Sequence, residues 1–126
     1  MFSSDNIEGI EILRERIPEE LQYWYQFGRI EELHYTHSLN DECSDFICCV
    51  EMILTDIHYR HSIKLFMYNV IGELSFDMLN GFWGGLDIED LSDTGVEKHC
   101  RFRMYSFEQD IDFSVYCEKI KVELLN

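Results

Sequence analysis

Four of the five histidines stand in two short segments that share the pattern His-Tyr-x-His, residues 34–37 and residues 58–61. Two histidines three positions apart share one face of a helix and can bind one zinc ion, whereas on a strand they point to opposite faces. The first segment has a strand-like pattern and the second lies in a predicted loop. Neither has a cysteine or carboxylate at ligand spacing. The pattern therefore favours structural histidines, and we expect no metal site.

The cysteines are the second set of residues that could do chemistry. A cysteine nucleophile needs a thiolate in an electropositive pocket, within reach of a base. His99 and Cys100 are adjacent, so on a strand their side chains point apart, and the negative charge of the chain disfavours a thiolate. We therefore expect free, unreactive thiols, of which several pack as small hydrophobic residues. The five are Cys43, Cys48, Cys49, Cys100 and Cys117.

A glycine-rich stretch, Gly81-Phe82-Trp83-Gly84-Gly85, is the only candidate for a phosphate-binding loop. It lacks a lysine, and no helix is predicted behind it, so it does not match that motif. Trp83 is open to two interpretations: a half-buried turn residue, or an aromatic anchor at an interface, where tryptophan is over-represented. A pair of neighbouring carboxylates does not indicate a glycosidase in this chain, because among 25 acidic residues some pair always lies close.

The strongest feature of the composition is its charge. The 126 residues carry 10 basic and 25 acidic side chains, a net charge of −15. Such a surface repels phosphate, which argues against direct binding of nucleic acid or of an anionic membrane. It favours a basic protein partner that is attracted by long-range electrostatics. The alternative is that the acidity only keeps a small protein soluble.

The acidic side chains are dense in the second half of the chain. Residues 87–112 contain eight acids against Lys98, Arg101 and Arg103. Several of them stand in predicted loops or alternate with apolar strand residues, so they can form one continuous negative field. We expect a partner-binding surface with no catalytic, cofactor or metal ligands. Its predicted residues are Trp83, Asp87, Glu89, Asp90, Asp93, Glu108, Asp110 and Asp112.

These residues must be positioned by strands, and residues 99–124 give the clearest strand pattern. Apolar and polar residues alternate over residues 100–105 and again over 111–117, with a polar turn at 107–110, which predicts an antiparallel hairpin. The apolar phase then moves from odd to even positions. We interpret that change as a β-bulge near Glu118 and Lys119.

The N-terminal region has a helical pattern. Ser3 to Asn6 offer helix caps before apolar residues at three-residue spacing, and Pro18 opens a second helical segment that ends at Gly28. Five further strands are predicted, at residues 30–37, 46–54, 63–67, 74–78 and 86–88, with a tight connection at 69–72. The second of these is apolar on both faces, which is typical of a central strand.

The resulting fold class is α+β and mainly β. We expect a single domain, residues 1–126, in which an N-terminal helical segment packs on an antiparallel sheet or a two-sheet sandwich of six to seven strands. The absence of βαβ alternation argues against a nucleotide-binding parallel sheet. No signal peptide or membrane-spanning stretch is evident, and with free thiols this predicts a cytoplasmic protein.

Several short stretches resemble small bacterial immunity proteins of polymorphic-toxin and contact-dependent growth-inhibition systems. They are Asn69-Val70, Leu74-Ser75-Phe76, Gly85 with residues 86–90, Glu108 with residues 109–113, and Cys117 with residues 118–120. The resemblance covers roughly residues 30–122. It implies a cytoplasmic, non-enzymatic protein, monomeric or weakly dimeric, that binds one cognate toxin domain, commonly a basic nuclease, and blocks its active site.

Three hypotheses of function follow from the sequence. In the first, acids of residues 87–93 and 108–112 pair with basic groups in a toxin's substrate cleft, with Trp83 as an anchor. In the second, the acids mimic a nucleic-acid backbone and inhibit a DNA- or RNA-handling complex, as anti-restriction or anti-CRISPR proteins do. The third is a small enzyme or ligand-binding barrel, which requires a deep pocket with convergent polar groups.

Overall fold

A computed structural model describes residues 2–40, 45–73, 85–95, 97, 100–106 and 114–125. One α-helix, α1 (Ile10–Arg16), is followed by 3-10 helices at Glu19–Leu21 and Trp24–Phe27, and a further 3-10 helix spans Ser92–Thr94. The strands of the described residues are β1 (Arg29–Asn40), β2 (Asp45–Thr55), β3 (Ser62–Tyr68), β4 (Ile71–Glu73), β5 (Leu86–Asp90), β6 (Phe102–Ser106), β7 (Ser114–Cys117) and β8 (Lys119–Leu124).

The strands form two antiparallel sheets of four. Sheet A has the order β1-β2-β3-β8, and sheet B has the order β4-β7-β6-β5. The predicted class, mainly β with a helical segment near the N-terminus, is confirmed. The described part of the chain contains eight strands, against the six to seven expected. β2 is an inner strand of sheet A, as its two apolar faces predict.

Alternation along the strands builds one core between the two sheets. In β3 and β8 every second residue is buried, and the inward residues of β5, β6 and β7 are buried in the same way. Side chains of α1 and of the 3-10 helix Trp24–Phe27 join the same cluster. Its fully buried members include Phe27, Ile7, Ile10, Leu13, Met52, Leu54, Ile63, Leu65, Met67 and Leu86.

The predicted bulge near Glu118 and Lys119 is wrong, although the change of phase that suggested it is real. Cys117 ends β7 in sheet B, and Lys119 begins β8 in sheet A. The chain crosses from one sheet to the facing one at Glu118, whose backbone N–H donates to the Tyr68 carbonyl at 3.0 Å. The two sheets face each other across the core, so their buried side chains point in opposite directions. The buried positions therefore change from odd numbers in β7 to even numbers in β8.

The N-terminal helix forms, but not with the predicted caps. α1 begins after Gly9, whose φ is 89°, and no side chain caps it. The backbone of Glu8 pairs with β8: its N–H donates to the Ile120 carbonyl at 3.0 Å, and its carbonyl accepts from Val122 at 2.8 Å. Glu8 therefore lies along the edge of sheet A, and the predicted caps Ser3 to Asn6 do not cap the helix.

The second predicted helical segment, from Pro18 to Gly28, keeps its bounds but is not one continuous helix. Two short 3-10 helices occupy this stretch, because the Gln22 side chain turns the chain back onto α1. Its amide Nε2 donates to the carbonyls of Arg14 at 2.9 Å and Ile17 at 2.8 Å. Trp24 then packs into the core with its ring centroid 4.5 Å from that of Phe2.

Two strand boundaries also differ from expectation. β1 continues to Asn40, beyond the predicted end at residue 37, and β2 begins at Asp45, close to the predicted residue 46. The tight connection predicted at residues 69–72 consists of two residues, Asn69 and Val70, of which Asn69 is left-handed with φ 59°. β4 then pairs with β7. The strand predicted at residues 74–78 lies outside the described residues.

Candidate functional site

A surface groove of about 690 Å³ runs along β5. Four of the predicted acids line it, together with Asp5 of the N-terminal segment, and the described residues that line it include no lysine or arginine. We call it the acidic groove. Its lining residues are Ser3, Ser4, Asp5, Asn6, Asp87, Ile88, Glu89, Asp90, Asp93 and Tyr105.

Buried and exposed side chains alternate along β5, which determines the residues that this strand contributes to the groove. Leu86 and Ile88 are buried in the core, so Asp87 and Glu89 stand on the opposite, outer face of sheet B. Tyr105 is directly across from Asp87 in the β5–β6 register. Sheet register thus brings an acid and a phenol together on one face.

Asp87 is held by two hydrogen bonds. Its Oδ1 accepts from the backbone N–H of Ile88 at 2.8 Å, and its Oδ2 accepts from the Tyr105 hydroxyl at 3.2 Å. Burial, followed by the negative charges of Asp87 and Glu89, raises the pKa of Tyr105, so its hydroxyl remains a donor at neutral pH. Arg103 lies over the Tyr105 ring, 4.4 Å from its centroid, and donates to the Ser114 hydroxyl at 2.9 Å.

Asp90 joins the N-terminal segment to β5. Its Oδ2 accepts from the Ser4 hydroxyl at 2.6 Å and from the Asn6 amide at 2.8 Å. Its Oδ1 accepts from both the backbone N–H and the hydroxyl of Ser92, at 2.9 and 2.6 Å. Burial alone would raise the pKa of Asp90, but these hydrogen bonds outweigh it and lower the pKa to about 2. Asp90 is therefore ionised at neutral pH, and internal donors occupy both of its oxygens.

Asp5 also lines the groove, and an arginine holds it. Its carboxylate makes an ion pair with Arg14 of α1 at 2.6 Å. The same guanidinium donates to the carbonyls of Phe2, at 2.9 and 3.2 Å, and of Ser4, at 3.2 Å. One arginine thus fixes the extended N-terminal segment that borders the groove.

Glu89 and Asp93 face solvent, with Arg103 of β6 standing opposite Glu89 in the β5–β6 register. Glu89 is partly exposed on β5, and Asp93 is exposed in the 3-10 helix Ser92–Thr94. Within the described residues, neither carboxylate makes an ion pair with a basic side chain. With Asp87, they are the acids of the groove best placed to meet an external cation.

The other four predicted site residues are Trp83, Glu108, Asp110 and Asp112, and all lie outside the described residues. Sequence reasoning missed the contributions of Ser4, Asp5, Asn6 and Tyr105 to the groove. Tyr105 was recognisable as a residue on the polar side of its strand. Its position opposite Asp87 depends on strand register, which no local pattern encodes.

The two His-Tyr-x-His segments lie in different structural elements, the first in strand β1 and the second in a turn. The side chain of His34 is exposed on β1, while His58 and His61 flank a turn built around the buried Asp56. The carboxylate of Asp56 accepts backbone N–H groups from His58 at 2.7 Å, Arg60 at 3.2 Å and His61 at 2.9 Å. No group of three metal-binding side chains is found in the described part of the chain.

Four of the cysteines are free thiols in the structure, and Cys43 lies outside the described residues. Burial raises the pKa of Cys117 to about 12, so its thiol is protonated at neutral pH. Burial also raises the pKa of Cys48, against the opposing effect of a hydrogen bond with Tyr35. The acidic groove and two other grooves, of about 620 and 250 Å³, contain no histidine or cysteine among their described lining residues.

The 620 Å³ groove has mixed charge. Three cations, Arg101, Lys119 and Lys121, line it beside three acids, Glu8, Asp93 and Glu118. Alternating signs of this kind provide no preference for an anionic or a cationic ligand. The acidic groove is the more uniformly charged of these two surfaces.

The helices in the described part of the chain are too short or too polar to cross a membrane. The chain was compared with models of protein families, with curated proteins and with solved structures, and none of the three comparisons gave a match.

Proposed function

We propose that this protein is an inhibitor that binds one cationic partner protein through the acidic groove. The partner class that fits best is a basic toxin domain, such as a nuclease, which this chain neutralises in the bacterial cytoplasm as an immunity protein. The observation that carries the proposal is the convergence of five carboxylates on one groove, with no lysine or arginine among the described residues that line it. The sequence resemblance to immunity proteins supports the same assignment.

Electrostatics favours this kind of partner at two ranges. At long range, a net charge of −15 attracts a cationic protein and accelerates the encounter. At contact, the carboxylates of Asp87, Glu89 and Asp93 are available to lysine and arginine side chains. An arginine can bind a carboxylate through two parallel hydrogen bonds, which fixes orientation as well as distance.

The walls of the groove are preorganised for binding. Asp90 and Arg14 each fasten the N-terminal segment by several hydrogen bonds, so the groove exists before a partner arrives. Binding to a preformed surface avoids the entropic cost of ordering a loop at the interface. Asp90 contributes fixed negative charge, and the remaining acids make the direct contacts.

The inhibitory mechanism follows from the chemistry of nuclease clefts. A cleft that binds a phosphate backbone is lined by basic side chains. A carboxylate surface that fills this cleft pairs with those side chains and excludes the substrate. Inhibition by this route needs no chemical step in the inhibitor.

Co-expression with basic nuclease toxin domains in bacteria tests the proposal. A cognate toxin arrests growth, and co-expression of this chain is expected to restore it. The triple variant Asp87→Asn, Glu89→Gln and Asp93→Asn should lose protection. A matched control, Glu15→Gln, Glu19→Gln and Glu20→Gln, removes the same charge at exposed residues outside the groove and should retain it.

Two outcomes would contradict the proposal. One is equal protection by the groove variant and the control variant. The other is the absence of protection against any toxin combined with competition between this chain and duplex DNA for a DNA-handling complex, which would favour the nucleic-acid mimic instead.

A further inference from the structure

The groove of about 620 Å³ borders the acidic groove, and we call it the mixed groove. Among the described residues, Asn6 and Asp93 line both grooves. Asn6 belongs to the N-terminal segment and Asp93 to the 3-10 helix Ser92–Thr94, and the Asn6 amide joins the two by donating to Asp90 at 2.8 Å and to Ser92 at 3.1 Å. A protein seated in the acidic groove therefore lies next to the mixed groove.

The acidic groove itself offers a partner little apolar surface. Among its described lining residues, Ile88 is the one aliphatic side chain, and it is buried. Tyr105 is the one aromatic side chain among them, and Arg103 lies over its ring. Stable protein interfaces usually combine polar contacts with a buried apolar or aromatic anchor that supplies much of the affinity. Such an anchor must therefore lie beside this groove.

Aromatic rings and lysine side chains line one side of the mixed groove. Phe66 and Tyr68 alternate with the buried residues of β3, so both stand on the outer face of sheet A, where they are partly exposed. In the β3–β8 register, Phe66 is opposite Lys121 and Tyr68 is opposite Lys119. The Lys119 ammonium lies 5.5 Å from the centroid of the Tyr68 ring. Because lysine stems are apolar, each pair places a hydrocarbon chain beside a ring.

We propose that the mixed groove receives an aromatic side chain of the cationic partner protein while the acidic groove binds its basic side chains. The inference rests on the proposed function and narrows the partner to one whose basic patch adjoins an exposed tryptophan, tyrosine or phenylalanine. An aromatic ring can stack on Phe66 and face the ammonium group of Lys121. An aliphatic side chain lacks the second contact. A basic side chain gains less there, because Arg101, Lys119 and Lys121 oppose the acids of the mixed groove.

Two synthetic peptides test the anchor without a toxin. Each has blocked termini and three central arginines between pairs of glycines, and one carries tryptophan at both ends where the other carries alanine. The arginines bring either peptide to the acidic groove, and the linkers let its end residues reach the neighbouring surface. In NMR titrations at low salt, the tryptophan peptide should bind at least about fivefold more tightly. That peptide alone should shift the amide signals of residues 66, 68, 119 and 121.

Substitutions of Phe66 test the location. Phe66→Ala should reduce the advantage of the tryptophan peptide to less than about twofold. Phe66→Leu preserves apolar bulk on β3 and should also reduce the advantage, so it serves as the test if the alanine variant does not fold. Ile53→Ala is the matched control. Ile53 is a partly exposed apolar residue on the same outer face of sheet A, but it lines neither groove, so the advantage should remain.

The outcomes separate this inference from the proposed function. Equal binding of the two peptides by the wild type would overturn the anchor alone, as would an advantage that survives both Phe66 variants or is lost equally in Ile53→Ala. Binding of neither peptide would contradict the proposed function and, with it, this inference. The groove variant Asp87→Asn, Glu89→Gln and Asp93→Asn should weaken both peptides, because their arginines occupy the acidic groove.

Discussion

The carboxylate of Asp90 both stabilises the fold through hydrogen bonds and adds negative charge to the acidic groove. Its sequence context, an acid at the end of a strand in an acidic region, predicted a partner contact. The structure gives it a defined internal function, because four hydrogen bonds from Ser4, Asn6 and Ser92 reach its two oxygens. Two of the donors are 84 and 86 residues away in the chain, so no local pattern revealed them.

We expect Asp90→Asn to lower the free energy of unfolding at pH 7 by about 1–2 kcal/mol, a range reduced for the solvent exposure of the group. The folded-state pKa of about 2 lies below the ordinary value of 3.8. The stabilisation is therefore fully present above pH 3.8 and is lost as the pH falls toward 2.

Urea denaturation of the wild type and the variant at several pH values measures this difference. The gap between the two proteins should narrow as the pH falls through that window. Asp93→Asn is the control, since Asp93 is exposed and should change stability little at any pH. A gap that is constant with pH would show that the Asp90 charge is not what stabilises the contact.

At the scale of elements, Gly9 fixes the junction between the N-terminal segment and α1. Its φ of 89° is a left-handed conformation, and a Cβ added there would collide with the carbonyl oxygen of Val122 in β8. The backbone on either side is held, by the pairing of Glu8 with β8 and by the start of α1. The collision is with backbone, so a side-chain rotation gives no relief.

Gly9→Ala should therefore destabilise the fold by more than about 2 kcal/mol, combining left-handed strain with displacement of the β8 contact. Gly95→Ala is a matched control. Gly95 also has a positive φ, 77°, but a Cβ there meets no atom within 4 Å. Thermal or urea denaturation of the two variants isolates the cost of the collision, and equal losses would contradict it.

Strand periodicity predicted most of the elements correctly but not how they assemble. Alternation located β2, β3, β5, β6 and β7 because each has one or two buried faces. The same alternation gave a wrong prediction of a bulge at Glu118. A bulge and a crossing between sheets both move the buried residues from odd to even positions, so the pattern does not distinguish them. The Pro18 segment forms two short 3-10 helices and no continuous helix, because Gln22 hydrogen-bonds to the end of α1. Helix propensity does not reveal that contact.

For the candidate site, the sequence predicted the acids but not the groove. Asp87 and Glu89 could be assigned to the polar side of a strand, and Asp93 to a loop. They line one groove with Ser4 and Asp5 because the N-terminal segment contacts β5, as in the hydrogen bond from Ser4 to Asp90. Long-range contacts of this kind are set by packing, which a single sequence does not display.

At the scale of the whole molecule, charges of opposite sign are arranged differently on the two sheets. On the outer face of sheet A, lysines have local partners: Lys64 lies 3.1 Å from Glu51, Lys121 lies 3.9 Å from Glu123, and Lys119 lies over the Tyr68 ring. Along β5 of sheet B, no lysine or arginine lines the acidic groove in the part of the chain that the structure describes. The proposed docking of a cationic protein rests on this difference between the described parts of the two sheets.

The salt dependence of toxin affinity tests this docking most directly. Isothermal titration of the wild type against a cognate toxin domain, at low and at high salt, should show binding that weakens steeply as salt rises. In the groove variant Asp87→Asn, Glu89→Gln and Asp93→Asn, low-salt affinity should fall by about a hundredfold or more, and its salt dependence should be shallower. The control at Glu15, Glu19 and Glu20 should bind like the wild type. Affinity that does not change with salt, or equal losses in the two variants, would contradict docking through the acidic groove.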